Sequence, residues 1–380
     1  MKILQIGKYY YPYRGGMETV VQTLCEGLVA NQVDIQVLCS HERRLEVDDA
    51  LAGVKVHRMM RWGVLFSQSI TPSLLYWVPK LAKEADVVHL HCPNPLAELA
   101  ALFLPKSVPL VITYHSDVVR QKLLLPFYKP LLRRVLKRAD KIIVATENHI
   151  NYSFILPEFR EKCEVIPFGI NVERYSENIE GHKIQSAKEK FGTFALFVGR
   201  LVGYKGVQFL IEAMKKVNGN LVVVGDGPLM NELLTQIEDN GLEKRVFLLG
   251  QVKDDSELDL LFRACECFVL PSITTNEAFG MVQLEAMASK KAVVATNLKS
   301  GVPLVGEPNI TSFIVEPGNV DQLSVAITRL LESSELAARM GQKGFIRFHD
   351  FFTQEKMVSS HIKVYESLLG QTSLKTKKAA

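Results

Sequence analysis

Long apolar runs are missing from the sequence: none reaches the ~18 residues a helix needs to cross the hydrocarbon of a bilayer. The opening Met1-Lys2-Ile3-Leu4-Gln5-Ile6-Gly7 gives way at once to Lys8 and tyrosines, too short and too polar for the core of a secretory signal. Cysteine is scarce as well, with six in 380 residues, at 25, 39, 92, 163, 265 and 267, and no Cys-x-x-Cys pair. That spacing signals neither a disulfide framework nor a zinc site, and it suits thiols kept reduced in a cytosol. No sign of charge dominates: 45 basic residues stand against 41 acidic, a net +4, which argues against a nucleic-acid footprint over the whole surface. The 24 glycines and 16 prolines are too few for a collagenous or low-complexity chain. What is there is ordinary globular composition, 47% apolar and 23% charged, in a length that at ~150 residues per domain predicts two domains. A soluble protein, attached at most to a membrane surface, is expected.

Short β-branched and apolar runs alternate with longer helical patterns. In the first half they fall at 3–6, 33–38, 87–90, 110–113 and 141–145, and in the second at 195–198, 221–225, 246–249, 267–270, 292–295 and 313–315. Such alternation predicts βαβ units on buried parallel sheets, hence an α/β chain of two Rossmann-like, doubly wound domains. Between the two series the polar stretch 173–190 shows no strong periodicity and reads as an interdomain connection. The expected domains are 1–175 and 186–356, with a helix in 357–380 that packs back on the first and ends in a fraying basic tail. Open α/β sheets bind ligands outside the carboxyl ends of their strands. Two such domains facing each other would put the active site in the cleft between them.

Three segments carry chemistry. After the first strand, Tyr10-Tyr11-Pro12-Tyr13-Arg14-Gly15-Gly16-Met17-Glu18 leads into a helix. It is not Gly-x-Gly-x-x-Gly, which counts against a dinucleotide oxidoreductase. Gly15 and Gly16 either let backbone N–H groups approach an anion or form a flexible turn. In the second half, Gly199-Arg200-Leu201-Val202-Gly203-Tyr204-Lys205-Gly206 sets two cations beside glycines at a strand's carboxyl end, where they either neutralise a diphosphate without a metal or are solvated loop charges. The third segment, 271–288, leaves a buried strand and enters an apolar helix at about Gly280, whose N-terminus would offer free N–H groups and a positive dipole end to an anion, with Gly280 removing steric cover. Glu285 lies among Leu284, Ala286, Met287 and Ala288, where an unpaired carboxylate is costly and a ribose diol would satisfy both oxygens. Glu277, just before the helix, is placed to accept hydrogen bonds from a sugar; the plainer reading makes both glutamates cap and surface residues. His89-Leu90-His91-Cys92 also ends a strand and has zinc-ligand types, without further ligands evident to converge on them.

Glu277 and Glu285, spaced around Phe279-Gly280-Met281-Val282, resemble the paired-glutamate signature of family-4 retaining glycosyltransferases of the GT-B fold. Gly15-Gly16-Met17-Glu18, Tyr114-His115-Ser116-Asp117, Ile166-Pro167-Phe168-Gly169, Gly199-Arg200-Leu201-Val202 with Lys205-Gly206, and Val224-Gly225-Asp226-Gly227-Pro228-Leu229 are similar to the family's landmarks and stand in its order, so the resemblance covers nearly the whole chain. It implies that Arg200 and Lys205 hold the diphosphate of a nucleotide-sugar donor and that amides around Phe279, Gly280, Met281 and Val282 cover its phosphates. Glu285 would take the ribose hydroxyls and Glu277 the transferred sugar, with Gly15 and Gly16 joining the donor site and Gln251 and Val252 bordering the nucleobase. His115 would lie near the reacting sugar, the plainer reading being a cap on the sheet end. The catalytic set implied is Glu277, His115, Arg200 and Lys205, stabilising a departing diphosphate while a donor phosphate oxygen takes the acceptor proton. No metal and no other cofactor is expected: the cations occupy the role of a magnesium ion and no Asp-x-Asp stands at a strand end. One departure is Lys299-Ser300-Gly301-Val302-Pro303, where many relatives have Gly-Gly-x-x-Glu; it removes the basis for donor contacts from that loop.

The wording of 113–121 and 300–303 further resembles bacterial mannosyl- and rhamnosyltransferases of surface-polysaccharide (O-antigen) assembly. This implies a hexosyltransferase, most directly one moving mannose from GDP-mannose to a polyprenyl-diphosphate-linked glycan. Alternatives are a rhamnosyltransferase, another GT-B chemistry such as a nucleotide-sugar epimerase, and a non-catalytic sugar-nucleotide binding protein. Finally, Arg120, Lys122, Lys129, Arg133, Arg134, Lys137, Arg138 and Lys141 stand against the single acid Asp140, interleaved with leucines, Phe127 and Tyr128. This segment either docks the protein on an anionic membrane, the cytoplasmic face of the inner membrane in this reading, or buries its leucines and solvates its cations. No nucleic-acid motif accompanies it.

Overall fold

The computed structural model describes residues 1–380 except 14, 66–67, 119–124, 172–180 and 380, and the side chains of 372–379. It divides into two compact units, Met1–Gly169 with Gln354–Ala380, and Ile170–Thr353.

In the first unit the strands are β1 (Lys2–Ile6), β2 (Asp34–Ser40), β3 (Val47–Leu51), β4 (Val54–Met59), β5 (Gly63–Leu65), β6 (Gln68–Ile70), β7 (Val87–Cys92), β8 (Leu110–Tyr114), β9 (Lys141–Val144) and β10 (Cys163–Val165). Among the described residues, one sheet runs β10-β9-β8-β7-β1-β2-β4-β3, and β5 with β6 forms a separate ribbon. Its pairings are parallel except for β3 on β4. A parallel sheet covered on both faces buries every residue of its central strands, as β7 does, which is why the runs in the sequence are continuous rather than alternating. The helix Gly16–Ala30 buries Val20, Val21, Leu24 and Leu28, an apolar stripe of helical period. The helix Gln354–Ala379 brings the end of the chain to this unit and packs on that helix, where the Gln354 side-chain amide donates to the Thr23 carbonyl at 2.6 Å.

In the second unit β11 (Phe194–Val198), β12 (Asn220–Val224), β13 (Val246–Leu248), β14 (Cys267–Leu270), β15 (Ala292–Thr296) and β16 (Ser312–Val315) form an all-parallel sheet in the order β13-β12-β11-β14-β15-β16. Phe197, Leu210, Met214, Val223, Val269, Leu323, Ile327 and Met340 belong to its core. In each sheet the direction of winding reverses once along the order, between β1 and β7 in the first and between β11 and β14 in the second. These are the crevices where open α/β sheets take ligands.

Two local expectations fail. The stretch 173–190, read as an interdomain connection without strong periodicity, runs from 181 onward in the helix Gly181–Phe191, which buries Ala187 and Phe191 and packs on the helix Asp255–Ala264. Ile184, Ala187 and Phe191 make a stripe only one side chain wide, easily lost among five charged or amide neighbours. The helix expected from Gly280 starts at Val282, because Gly280 has φ +76°, outside the right-handed helical region.

Candidate active site

At the carboxyl ends of the second sheet the loops are laced together in strand order. The Gly225 amide donates to Gly250 O (2.8 Å), the Gly199 amide to Val224 O (3.0 Å) and the Leu201 amide to Asp226 O (2.9 Å), joining the loops after β13, β12 and β11. Across the winding reversal the Ile273 amide donates to Tyr204 O at 2.8 Å, and beyond it the Thr296 hydroxyl donates to Ser272 O at 2.6 Å, joining β15 to the loop after β14. Gly206 makes the crossing possible. It has φ +72°, and a Cβ there would run into the Pro271 carbonyl.

This lacing brings Lys205 and Glu277 into contact, Nζ to Oε2 at 2.5 Å, with their side chains 12% and 11% exposed; the Ser272 hydroxyl donates to the same oxygen at 3.1 Å. Burial works against the Lys205 charge, but Glu277 and Tyr204 outweigh it and hold the ammonium above the ordinary lysine pKa, even though Arg200 pushes the other way. Arg200, which is exposed, stands on the same loop after β11 as Lys205. The site is therefore two cations and one carboxylate at the reversal point of the sheet.

The next turn is held from three sides. The Gly301 amide donates to Ala278 O (2.7 Å), the Gln283 side chain to Phe279 O (3.1 Å), and the Phe279 ring meets Phe352 edge-on at 6.2 Å. Gly280 is required by its backbone and its packing: its φ is positive, and a Cβ would come within 2.6 Å of Leu270 Cδ2. Gln283 and Leu284 turn their amides back onto Gly280 O and Met281 O, both at 2.9 Å, which makes Gly280, Met281 and Val282 the amides at the head of the turn. Glu285 is half-buried, not embedded in the core as the sequence suggests: Gln283, Leu284, Ala286, Met287 and Ala288 take the inner face of the short helix and leave Met281, Val282 and Glu285 on the accessible one. Gln251 and Val252 follow Gly250, two strands from the Lys205 loop, and border a cavity of about 820 Å³ whose walls include Phe191, Leu249 and Leu261. In the departing loop after β15, Ser300 is buried and its hydroxyl accepts from the Val302 amide at 3.3 Å, so this loop braces Ala278 through Gly301.

In the first unit His115 follows β8 and is 6% exposed, stacked on Phe168 with ring centroids 5.1 Å apart. Its Nε2 meets His91 Nδ1 at 3.0 Å, and His91 Nε2 donates to Gln5 Oε1 at 2.9 Å. Gln5 in turn donates to the Tyr365 hydroxyl at 3.2 Å, which bonds His89 Nδ1 at 2.7 Å, while His89 Nε2 bonds Thr113 Oγ1 at 2.7 Å. Burial lowers all three histidines, His115 to about 3 with further pressure from His149 and His361, so the rings are neutral. The nitrogens of His89 and His91 are thus committed to hydrogen bonds, and among the described residues no group of three His, Cys, Asp or Glu is arranged to hold a metal ion. Asp117 anchors the loop at 153–154, accepting from the Tyr114 hydroxyl (2.6 Å) and the Ser153 hydroxyl (2.8 Å). Gly15 caps the helix Gly16–Ala30 in an extended conformation with its carbonyl accepting from the Thr19 amide at 2.9 Å, and a Cβ on it would run into the Glu18 carboxylate, whereas Gly16 borders open space. Sequence reasoning singled out His115 but missed Gln5 and Tyr365; a polar residue in the buried run of β1 was the one available signal for Gln5, and nothing marked Tyr365.

Of the basic segment, Arg120 and Lys122 lie outside the described residues. The helix Leu125–Arg138 buries Leu132, Val135 and Leu136, so these leucines and valine face the core rather than a lipid. Arg133 pairs with Glu158 (2.6 Å), Arg138 with Asp140 (3.3 Å) and two carbonyls, and Lys141 with Glu164 (3.2 Å). Arg134 and Lys137 are exposed, as is Phe127 at 82%, beside an apolar cavity of about 410 Å³ that includes Leu65, Leu96 and Leu131. Among the described residues no helix is long and apolar enough to cross a membrane.

Two Rossmann-like α/β units with ligand-type loops at the reversal points define a GT-B glycosyltransferase class. Residues 14–174 match Glycosyltransferase Family 4 and residues 178–347 match Glycosyl transferases group 1. The chain is 32% identical to the D-rhamnosyltransferase WbpZ of Pseudomonas aeruginosa over 93% of its own length and 92% of the relative's. It is 28% identical to the O-antigen chain mannosyltransferase C of Escherichia coli over 98% and 100%. A solved structure of Anabaena Alr3699/HepE in complex with UDP-glucose superposes with a TM-score of 0.76 at 21% identity, covering 97% of this chain and all of that one, a likeness of fold. The protein belongs to the group 1 and family 4 glycosyltransferases.

Proposed function

We propose that the protein transfers a hexose, mannose from GDP-mannose, with retention of anomeric configuration, to a polyprenyl-diphosphate-linked glycan of a bacterial surface polysaccharide. The observation that carries the reading is the Lys205–Glu277 pair at the reversal point of the second sheet, on a loop that also holds Arg200. The two relatives named for O-antigen mannosyl and D-rhamnosyl transfer support this sugar class, and rhamnose is the second donor to test.

In this reading the diphosphate of the donor sits against Arg200 and Lys205, with the amides of Gly280, Met281 and Val282 at its edge. Departure of the diphosphate builds negative charge where these cations are already fixed, and that is the main lowering of the barrier. Glu277, paired with Lys205 and Ser272, holds the sugar through its hydroxyls and keeps the ammonium in place. The acceptor proton passes to a donor phosphate oxygen. Glu285 takes the ribose, and Gln251 and Val252 the guanine. His115 contacts a hydroxyl of the transferred sugar. No metal is required for turnover, because the two cations stand where a magnesium ion would. Thermal unfolding with GDP-mannose, GDP-rhamnose, UDP-, dTDP- and ADP-sugars, each in excess chelator, tests donor and metal together. A ligand at 100 times its dissociation constant stabilises by about 2.7 kcal/mol. The GDP-sugars should give that shift with chelator present. A shift seen only with a UDP-sugar, or only after magnesium is restored, would overturn the donor or the metal assignment.

A further inference from the structure

Hydrogen bonds link His115, His91, Gln5, Tyr365, His89 and Thr113 in one buried chain, and the orientation of the Gln5 amide gives it a direction with a chemical consequence for His115. Gln5 donates through its side-chain nitrogen to the Tyr365 hydroxyl and accepts through its oxygen from His91 Nε2. A neutral His91 that donates from Nε2 must accept at Nδ1, so the hydrogen in the 3.0 Å contact between His91 Nδ1 and His115 Nε2 belongs to His115. At the other end, Tyr365 accepts from Gln5 and passes its own hydrogen to His89 Nδ1 at 2.7 Å, and His89 then donates from Nε2 to Thr113. Each of the five contacts then pairs one donor with one acceptor, as a buried polar network requires. The amide of Gln5 is the pivot: turned over, it would reverse the His91 and His115 tautomers together.

We propose that Tyr365 is a positioning residue for the transfer reaction, acting through Gln5 and His91 to hold His115 in the Nε2–H tautomer with Nδ1 as its acceptor. The inference rests on the reading of His115 as a contact of the transferred sugar and adds what sets the polarity of that contact. An imidazole held this way receives a sugar O–H at Nδ1; the opposite tautomer would meet the same hydroxyl with a donor. Tyr365 comes from the helix Gln354–Ala379, far along the chain from β1, β7 and β8, so the final helix contributes to the chemistry of a site built from the first third of the sequence. Tyr365, fully buried, has its phenol raised well above the ordinary tyrosine range by burial, which keeps it a neutral donor.

The test is nitrogen NMR of the full-length protein with ¹⁵N-labelled histidine, the His115 signals being assigned by their loss in His115→Asn. Two-bond couplings distinguish the tautomers. In the wild type His115 should be neutral with its hydrogen on Nε2; a hydrogen on Nδ1 would overturn the proposal whatever Tyr365→Phe does. Tyr365→Phe keeps the ring that fills the buried space and removes the hydroxyl. It should shift His115 toward a mixture of tautomers and lower kcat about 10-fold, the loss of one well-placed hydrogen bond, with donor KM unchanged. Unaltered His115 signals and kcat in that variant would overturn the relay. Wild-type turnover in His115→Asn would overturn the reading of His115 itself, a failure visible in the assay and separate from the spectra.

Discussion

Lys205 keeps its charge in a place that is nearly closed to water because Glu277 lies 2.5 Å away, and neither residue is understood apart from the other. Removing one partner of such a pair leaves the second charge uncompensated. Lys205→Ala should therefore lower turnover by about 100-fold or more, as expected for a lost preorganised charge at a departing anion. Glu285→Ala, on the accessible face of its helix, should raise the donor dissociation constant while leaving turnover at saturating donor within a few-fold. Steady-state kinetics with a donor titration reads both, and the roles would be wrong if Lys205→Ala kept full turnover or Glu285→Ala bound donor normally. Lys205, Glu277 and Glu285 were singled out in the sequence because, near strand ends and glycines, they stand where the family resemblance puts donor-site residues. Tyr365 and Gln5 were not, since a hydrogen bond across 360 positions leaves no local pattern.

At the scale of elements, the strands that build the two sheet centres are legible as buried apolar runs, while the edge strand β3, its neighbour β4 and the helix Gly181–Phe191 are not. An edge strand such as β3 alternates half-buried and exposed residues, and that helix buries a single narrow stripe; both are outweighed by their polar neighbours. The helix Leu125–Arg138 was ambiguous for a related reason: charge and leucine counts do not say which face the leucines take. With Leu132, Val135 and Leu136 inward, membrane docking through this helix, which we propose, falls to Arg134, Lys137 and Phe127. Each exposed cation near an anionic leaflet contributes about 1 kcal/mol. Co-sedimentation with anionic vesicles should be present at low salt, weaken at high salt and drop in the double variant Arg134→Gln, Lys137→Gln, whereas binding to neutral vesicles should be absent throughout. Equal recovery in the supernatant with both vesicle types would remove the membrane assignment.

For the molecule as a whole, the first unit concentrates neutral imidazoles: His89, His91, His115, His149 and His361 are all buried with lowered pKa, His115 to about 3 and His149 and His361 to about 4. The unfolded chain takes up protons at these positions below pH ~6.5 and the folded chain does not until far lower. In that window the unfolded state binds more protons, so stability falls as pH falls, by up to about 1.4 kcal/mol per pH unit for each histidine. Melting temperature should be level above pH 7.5 and decline between pH 6.5 and 5, before most carboxylates titrate; a flat profile over that interval would mean the histidines are not buried as described. The central claim is a metal-free, retaining transfer from a nucleotide-sugar held by Arg200 and Lys205. It is tested most directly by incubating the enzyme with GDP-mannose and a polyprenyl-diphosphate-linked glycan in excess chelator, then reading the new glycosidic linkage by NMR. The account predicts mannose joined to the glycan with the donor's anomeric configuration, and that transfer lost in Lys205→Ala; an inverted linkage, or transfer that appears only when magnesium or manganese is added, would contradict it.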